Sequence, residues 1–240
     1  MTNHNPVAQP LFSGIDNLAI MEYAKHYNAF LLKIIHKHLP ISAETVIDFG
    51  AGMGEFALSI RNSVDEVWCV ENDPYLKSVI GERRLIVQDS LTQIADSSAD
   101  YIYSLNVLEH IKNDASVLED MNRVLKPNGA LLIYVPAFMT LYSDMDRKVG
   151  HERRYSRTEL LSKVRSAGFA VTRCQFVDSI GYFASLYLKS RKNSGVLNPK
   201  LVSFYDRYLF RLSCYFDQLC RYYFGKNLLL VAVKPNNSAI

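Results

Sequence analysis

The sequence predicts an α/β fold built on one mostly parallel sheet. Three observations carry this expectation. Short apolar runs rich in strand formers recur between residues 45 and 136, helical periodicity separates them, and the first run opens into a glycine-rich turn at 48–56. Strands that are apolar throughout are buried on both faces, which calls for helices on each side of the sheet.

The elements follow in order. Residues 18–39 place apolar side chains at helical spacing and stop at Pro40. The run 45–50 is a strand ending in glycine, with a helix expected from about Glu55. Residues 66–71, 84–89 and 100–106 read as the second, third and fourth strands. Residues 114–126 form an amphipathic helix closed by Pro127, Asn128 and Gly129, and 130–136 is the fifth strand. A polar segment, a helix near 157–167 and a strand at 169–177 come next. A long helical excursion then separates that strand from a last one at 227–234. Two late strands joined by so long a connection fit an antiparallel pair at one sheet edge.

Composition bounds the function. The 240 residues are 49% hydrophobic, enough for one sizeable core, so a single domain over 1–240 is expected. Within it we distinguish an N-terminal helical cap (1–43), a cofactor-binding core (44–136), a substrate-facing insertion (137–157) and an aromatic helical insertion (178–225). A net charge of +3 without a long basic run gives no reason to expect nucleic acid. Cys69, Cys174, Cys214 and Cys220 lack CxxC spacing and read as free thiols of a reducing cytoplasm. No secretory signal and no membrane span is expected, which leaves a cytoplasmic protein with peripheral membrane contact open.

The turn 48–56 carries glycines at 50, 52 and 54, and Glu71 ends the second strand. A carboxylate there can accept from both hydroxyls of a ribose. A dinucleotide turn would want a third glycine at position 55, where this chain has Glu55, and a carboxylate repels a pyrophosphate. The turn therefore favours an adenosine ligand without phosphates. The competing reading is a tight turn that binds nothing.

The runs "VIDFGAGMGEFA", "ENDP", "QDS", "NVLEHI" and "RVLKPNGALLIYVP" resemble the successive motifs of class I S-adenosylmethionine-dependent methyltransferases. The resemblance implies a Rossmann-like seven-stranded sheet in the order 3-2-1-4-5-7-6, with helices on both faces, and S-adenosyl-L-methionine as cofactor. It also implies roles. Gly50, Ala51 and Gly52 would face the methionine portion, with Asp48 supporting the turn. Glu71 would hold the ribose and Asn72 would lie near the adenine. Asp89, Ser90 and Leu91 would follow the adenine ring, and Asn106, Val107 and Leu108 would wall the methionine. His110 is expected at the acceptor, or as a satisfied helix-start residue. Asp48 and Asp89 have the alternative of capping the turns after their strands. Tyr23 and Tyr27, four apart on one helical face, are expected either to close over the cofactor or to pack in the core.

The segment "DRKVGHERRY" (146–155) follows the fifth strand, at the edge where ligands bind in open α/β sheets. It resembles a segment of bacterial methyltransferases from surface-glycan and lipid-linked sugar pathways. Asp144, Asp146 and His151 are the candidates for a base or for acceptor recognition. Arg153 and Arg154 are candidates to grip an anionic acceptor, with Tyr155 beside them. The alternative is a solvated salt-bridge network leading into a helix capped by Ser156 and Glu159. No metal site is expected, because His36 and His38 are two apart on a helix and point in different directions.

Residues 199–224 place apolar groups at 201, 204/205, 208, 212, 215/216, 219 and 222/223, a helical stripe interrupted by arginines. A lid packed on the sheet edge, a lipid-facing wall and a dimer face are all compatible with it. The expected activity is methyl transfer to an oxygen or nitrogen of a small or lipid-linked, anionic acceptor. The alternative is a non-catalytic S-adenosylmethionine-binding partner or regulatory subunit.

Overall fold

The computed structural model describes residues 19–190 and 198–236. The expected helix start at Leu18, and the basic residues Arg191 and Lys192, lie outside the described residues. The sheet has seven strands in the order β3-β2-β1-β4-β5-β7-β6, as the resemblance implied. They are β1 (Thr45–Phe49), β2 (Glu66–Val70), β3 (Ile86–Gln88), β4 (Ala99–Leu105), β5 (Leu125–Pro136), β6 (Ala170–Val177) and β7 (Asn227–Val233). The first five run parallel. β7 inserts antiparallel between β5 and β6.

The core strands alternate their side chains between two apolar layers. Ile47, Ile102 and Leu131 belong to one, and Val46, Tyr101 and Leu132 to the other. The first layer is closed by α4 (Asp114–Val124) and α6 (Arg157–Ser166). The second is closed by α1 (Lys25–His38), α2 (Glu55–Ile60) and α3 (Pro74–Glu82). Both faces of the central parallel strands β1, β4 and β5 are therefore dry, which is why these runs are largely apolar, while β3 at the sheet edge leaves Ile86 exposed.

The expected single helix over 18–39 is interrupted at 22–24, and α1 begins at Lys25. The cause is distant in sequence. Asp206 accepts from the backbone N–H of His26 at 2.9 Å and of Tyr27 at 2.8 Å, and also meets His26 Nδ1. A carboxylate on the first-turn amides caps a helix start, so the chain turns there instead of continuing. The break leaves Tyr23 exposed, while Tyr27 faces inward.

The segment after β5 is more ordered than a loop. Ala137 and Tyr155 form a parallel bridge, and between them lie a short turn and α5 (Asp144–Val149). Tyr155 is fully buried and donates its hydroxyl to the Leu108 carbonyl and to Asp114 Oδ2. Residues 137–157 are thereby tied to the loop beyond β4. Ser156 caps α6 through the Glu159 amide, as the sequence predicts.

The aromatic insertion comprises α7 (Ser179–Ser190), α8 (Pro199–Phe204), a π-helical segment (Tyr205–Phe210) and α9 (Arg211–Cys220). Of the three readings open from the sequence, its orientation argues against a lid packed by its apolar stripe and leaves the lipid-facing wall and the dimer face. Leu201, Phe204, Tyr208, Leu212, Tyr215, Leu219 and Tyr223 are all exposed, Leu219 by 72% and Tyr223 by 76%. The face turned to the protein is largely polar, with Phe210 buried against Tyr27 and Phe30. Tyr205 donates to Asp178, Asp217 accepts from the Asp178 and Ser179 amides, and Ser213 accepts from the Ile180 amide. Hydrogen bonds fix this helix in place. Its apolar surface is left outward.

Candidate active site

The parallel strands end at a cavity of about 690 Å³ lined by the turns after β1, β2, β3 and β4 and by α1. The turn after β1 sets its floor. Gly50 has φ +76, and a Cβ there would lie 2.3 Å from a Val107 methyl. Both the left-handed backbone and the close approach of the β4 loop require glycine. Glu71 clamps the two turns together. One carboxylate oxygen accepts from the Gly52 amide at 3.0 Å, and the other from the Asn72 and Asp73 amides.

Beyond β4 the chain turns sharply at Asn106, which has φ 56 and donates its amide to the Tyr134 carbonyl. Asparagine is among the few side chains that adopt this left-handed conformation readily. Tyr27 covers this corner, edge-on to the rings of Tyr134 and Phe210. Burial pushes its hydroxyl up to about 12.

Of the residues expected at the cofactor, Gly50, Gly52, Glu71, Asn72, Asp89, Ser90, Leu91, Asn106, Val107 and Tyr27 line the cavity. Asp48, Ala51 and Leu108 do not. Leu108 is fully buried in the core, where its carbonyl serves Tyr155. Asp48 lies beneath the turn. Asp89 is 59% exposed at its side chain and pairs with Lys77 at 2.6 Å. The cavity also takes apolar walls from Phe49, Leu76, Ile111 and Val117, and a carboxylate from Asp120, none of which the motifs single out. A ribose acceptor, a glycine floor and apolar walls suit a phosphate-free nucleoside, and S-adenosylmethionine fits these residues.

Asp48 is almost wholly buried. Burial raises its carboxyl from the usual range to about 7, helped by the nearby charge of Glu71. The folded protein then holds a proton that the unfolded chain releases above about pH 4. This group's contribution to stability is full in acid and declines as pH rises from about 4 toward 7. Asp48→Asn removes that dependence. Thermal melts should show the variant gaining on wild type as pH rises through this window; a difference independent of pH would mean that Asp48 is ionised under the turn.

At the rim, where the β4 loop meets the 137–157 segment, a second cluster forms. His110 lines the cavity, and its ring meets that of His151 edge-on at 4.6 Å. His151 Nδ1 bonds Asp146 Oδ1 at 2.7 Å, and its Nε2 lies 3.8 Å from Glu109 Oε1. The His151 backbone is fixed by its own amide on the Asp146 carbonyl and by the Tyr142 hydroxyl on its carbonyl. Burial, then the neighbouring His151, lowers His110 to about 4, so its imidazole is neutral at pH 7. Glu109 is fully buried, and burial raises it to about 8 despite the charge of Arg154. Burial alone would also raise Asp146. The hydrogen bond from His151 and the charge and hydrogen bond of Arg154 instead hold it well below the usual carboxylate range.

Several expected acceptor residues have internal partners. Arg154 is buried and grips Asp146 with two nitrogens, at 2.8 and 3.1 Å. Arg153 pairs with Asp114 at 3.0 Å and donates to the Lys112 carbonyl. Tyr155 is locked on Asp114. Asp144 is exposed on α5 and pairs with Arg147 one turn on. The structure thus brings His110, His151 and Asp146 together, and it gives Arg153, Arg154, Tyr155 and Asp144 partners within the chain. Glu109 was missed. Its only sequence signal is its place beside His110, because burial of a single acid is not legible in one sequence.

The sheet order, the glycine turn after β1 and Glu71 beyond β2 together have the arrangement of a class I S-adenosylmethionine-dependent methyltransferase domain. The chain belongs to the methyltransferase domain family, which its residues 23–173 match. A Mycobacterium tuberculosis protein described as an S-adenosylmethionine-dependent methyltransferase is 27% identical over 135 residues, covering 53% of this chain and 49% of that protein. The dimethylglycine N-methyltransferase of Parasynechococcus marenigrum is 30% identical over 103 residues, 38% of this chain and 37% of the enzyme. The chain thus spans about half the length, or less, of these curated relatives. Among solved structures, a methyltransferase in complex with the Haloferax volcanii Trm112 methyltransferase activator has a TM-score of 0.67 at 16% identity, covering 95% of this chain and 96% of that one. Haemonchus contortus phosphoethanolamine N-methyltransferase 2, solved with S-adenosyl-L-methionine, has a TM-score of 0.57 at 18% identity, over 85% of this chain and 52% of that one. At these identities the structural likeness concerns the fold.

Proposed function

We propose that this chain is an enzyme that methylates an oxygen or nitrogen of a lipid-linked acceptor presented at a membrane surface. S-adenosylmethionine, when bound, supplies a methyl carbon already activated on a sulfonium, so the protein's task is chiefly alignment. Positioning of this kind lowers a barrier by on the order of 7–11 kcal/mol. Glu71 and the glycine turn fix one end of the nucleoside. Asn106, Val107 and Tyr27 confine the other. The acceptor atom then lies against His110 and His151, the polar groups that draw off its proton. Asp146 keeps His151 in one tautomer and one orientation.

The observation that carries the lipid reading is the outward apolar stripe of α8 and α9. Tyr208, Tyr215, Tyr222 and Tyr223 stand exposed with Leu212 and Leu219, and Arg207 and Arg211 are exposed among them. Aromatic and leucine side chains beside arginines suit the interface of an anionic bilayer. The stripe's support reaches the site, since Asp206 and Phe210 of the same insertion hold the start of α1 and the ring of Tyr27. No helix among the described residues is long and apolar enough to cross a membrane, so the contact is peripheral.

Cosedimentation with vesicles tests this. Wild type is expected to bind phosphatidylglycerol vesicles more strongly than phosphatidylcholine vesicles, and Leu212→Ser/Leu219→Ser to lose most of that binding. Wild type that ignores both, and instead runs as a dimer that the same variant dissociates, would make the stripe a subunit interface. Transfer of labelled methyl into whole-cell extracts tests the chemistry. Label in the lipid fraction is expected; label only in polar metabolites would remove the lipid, and no label with intact cofactor binding would favour a non-catalytic subunit.

A further inference from the structure

We infer that Glu109, His110 and His151 form a binding site for a divalent first-row metal ion at the rim of the cofactor cavity. One carboxylate oxygen and one nitrogen from each ring lie within 4.8 Å of one another. Two donors on a common ion, each about 2.1 Å from it, sit roughly 3–4 Å apart. Glu109 Oε1 and His151 Nε2 are 3.8 Å apart, too far for a hydrogen bond and suited to sharing an ion.

Two independent features support a ligand here. The first is Glu109 itself. It is fully buried, and neither carboxylate oxygen has a hydrogen-bond partner among the described residues. Leaving a buried carboxyl unsatisfied costs about 1–3 kcal/mol, and native proteins seldom keep such a group without a use. The second is the support behind His151. Its Nδ1 is held by Asp146 at 2.7 Å, and Asp146 is in turn held by Arg154 and by the Ser143 amide. A carboxylate behind one ring nitrogen is how proteins aim the other nitrogen at a metal and raise its basicity. Both the loop carrying Glu109 and His110 and the loop carrying His151 are tied down, because the Glu152 amide donates to the Glu109 carbonyl.

Two imidazoles and one carboxylate suit zinc, cobalt, manganese or ferrous ions better than calcium or magnesium. Three protein ligands leave positions open toward the cavity. Given the methyl-transfer reading above, on which this role rests, those positions take an acceptor oxygen, as a hydroxyl or a phosphate ester. With a nitrogen of each ring on the ion, neither ring takes the acceptor's proton as well; the ion orients that oxygen and lowers its proton affinity, and the proton passes to water. The arginines expected to recognise an anion are engaged with Asp146 and Asp114, so the ion supplies the positive charge that they do not.

The test uses the full chain, stripped with a chelator and titrated with zinc and with cobalt by calorimetry and visible absorption. One equivalent per chain is expected, with cobalt giving a d–d spectrum that zinc bleaches. Glu109→Gln and His110→Ala should each weaken binding by at least about tenfold, while His36→Ala, on the far part of α1, should leave it unchanged. Circular dichroism and affinity for S-adenosylhomocysteine, measured on the same samples, separate a lost metal site from a lost fold or a lost cofactor site. No stoichiometric binding by the wild type, or binding that survives both ligand substitutions in folded protein, would overturn the inference. Normal S-adenosylhomocysteine binding with no metal would overturn it while leaving the methyltransferase reading intact.

Discussion

His151→Ala is expected to lose methyl transfer by roughly 10²–10⁴-fold while binding S-adenosylhomocysteine as the wild type does. The split follows from position. His151 touches His110 and Asp146 at the rim and does not line the cavity. Its removal therefore leaves the glycine floor, Glu71 and the apolar walls in place. What is lost is the group at the acceptor end, whether it takes the acceptor's proton itself or helps hold an ion that makes that proton easier to lose. The measurement pairs a labelled-methyl assay on cell extract with calorimetry for the nucleoside. Turnover within a few-fold of wild type would remove His151 from the reaction. A parallel loss of nucleoside affinity would make it part of the cofactor site.

Arg154→Ala is expected to destabilise the protein by about 3–5 kcal/mol. The guanidinium is buried against an equally buried Asp146 and also donates to the Ala137 carbonyl. Truncation strands a charge that His151 and Ser143 satisfy only in part. The loss should appear in urea unfolding as a lower midpoint at unchanged slope. Activity should fall with it, since Asp146 would no longer hold one orientation for His151. A variant of normal stability with a raised KM for the acceptor would return Arg154 to the substrate-gripping role that its sequence neighbourhood suggests.

That contrast between Arg154 and His151 shows where sequence reasoning stops. The sheet order was legible only through the family resemblance, which short motifs at the strand ends carry: a glycine turn, an acid, an asparagine. The residues expected at the cofactor that line the cavity, from Gly50 to Val107, share this advantage, since each lies within a few residues of the strand that positions it. Charge-rich residues 146–155 are different. Whether an arginine faces a ligand or an internal carboxylate is set by burial, and Ala137, Leu108 and Asp114 create that burial from elsewhere in the chain. The break before α1 has the same origin, because Asp206 lies 180 residues from His26. The stripe of α8 and α9 was visible as a period, but a period does not say which side the protein occupies. Here the Tyr205 hydroxyl on Asp178, the backbone amides on Ser213 and Asp217, and buried Phe210 hold that side inward and leave the apolar stripe outward.

Methyl transfer at the rim depends on the orientation of the nucleoside in the cavity. A crystal structure with S-adenosylhomocysteine measures it directly. The ribose hydroxyls should lie on Glu71, the amino-acid portion over Gly50 and Gly52, and the sulfur should face the rim formed by His110 and His151. A ligand whose sulfur points away from that rim, or one bound outside the cavity, would contradict the proposed reaction.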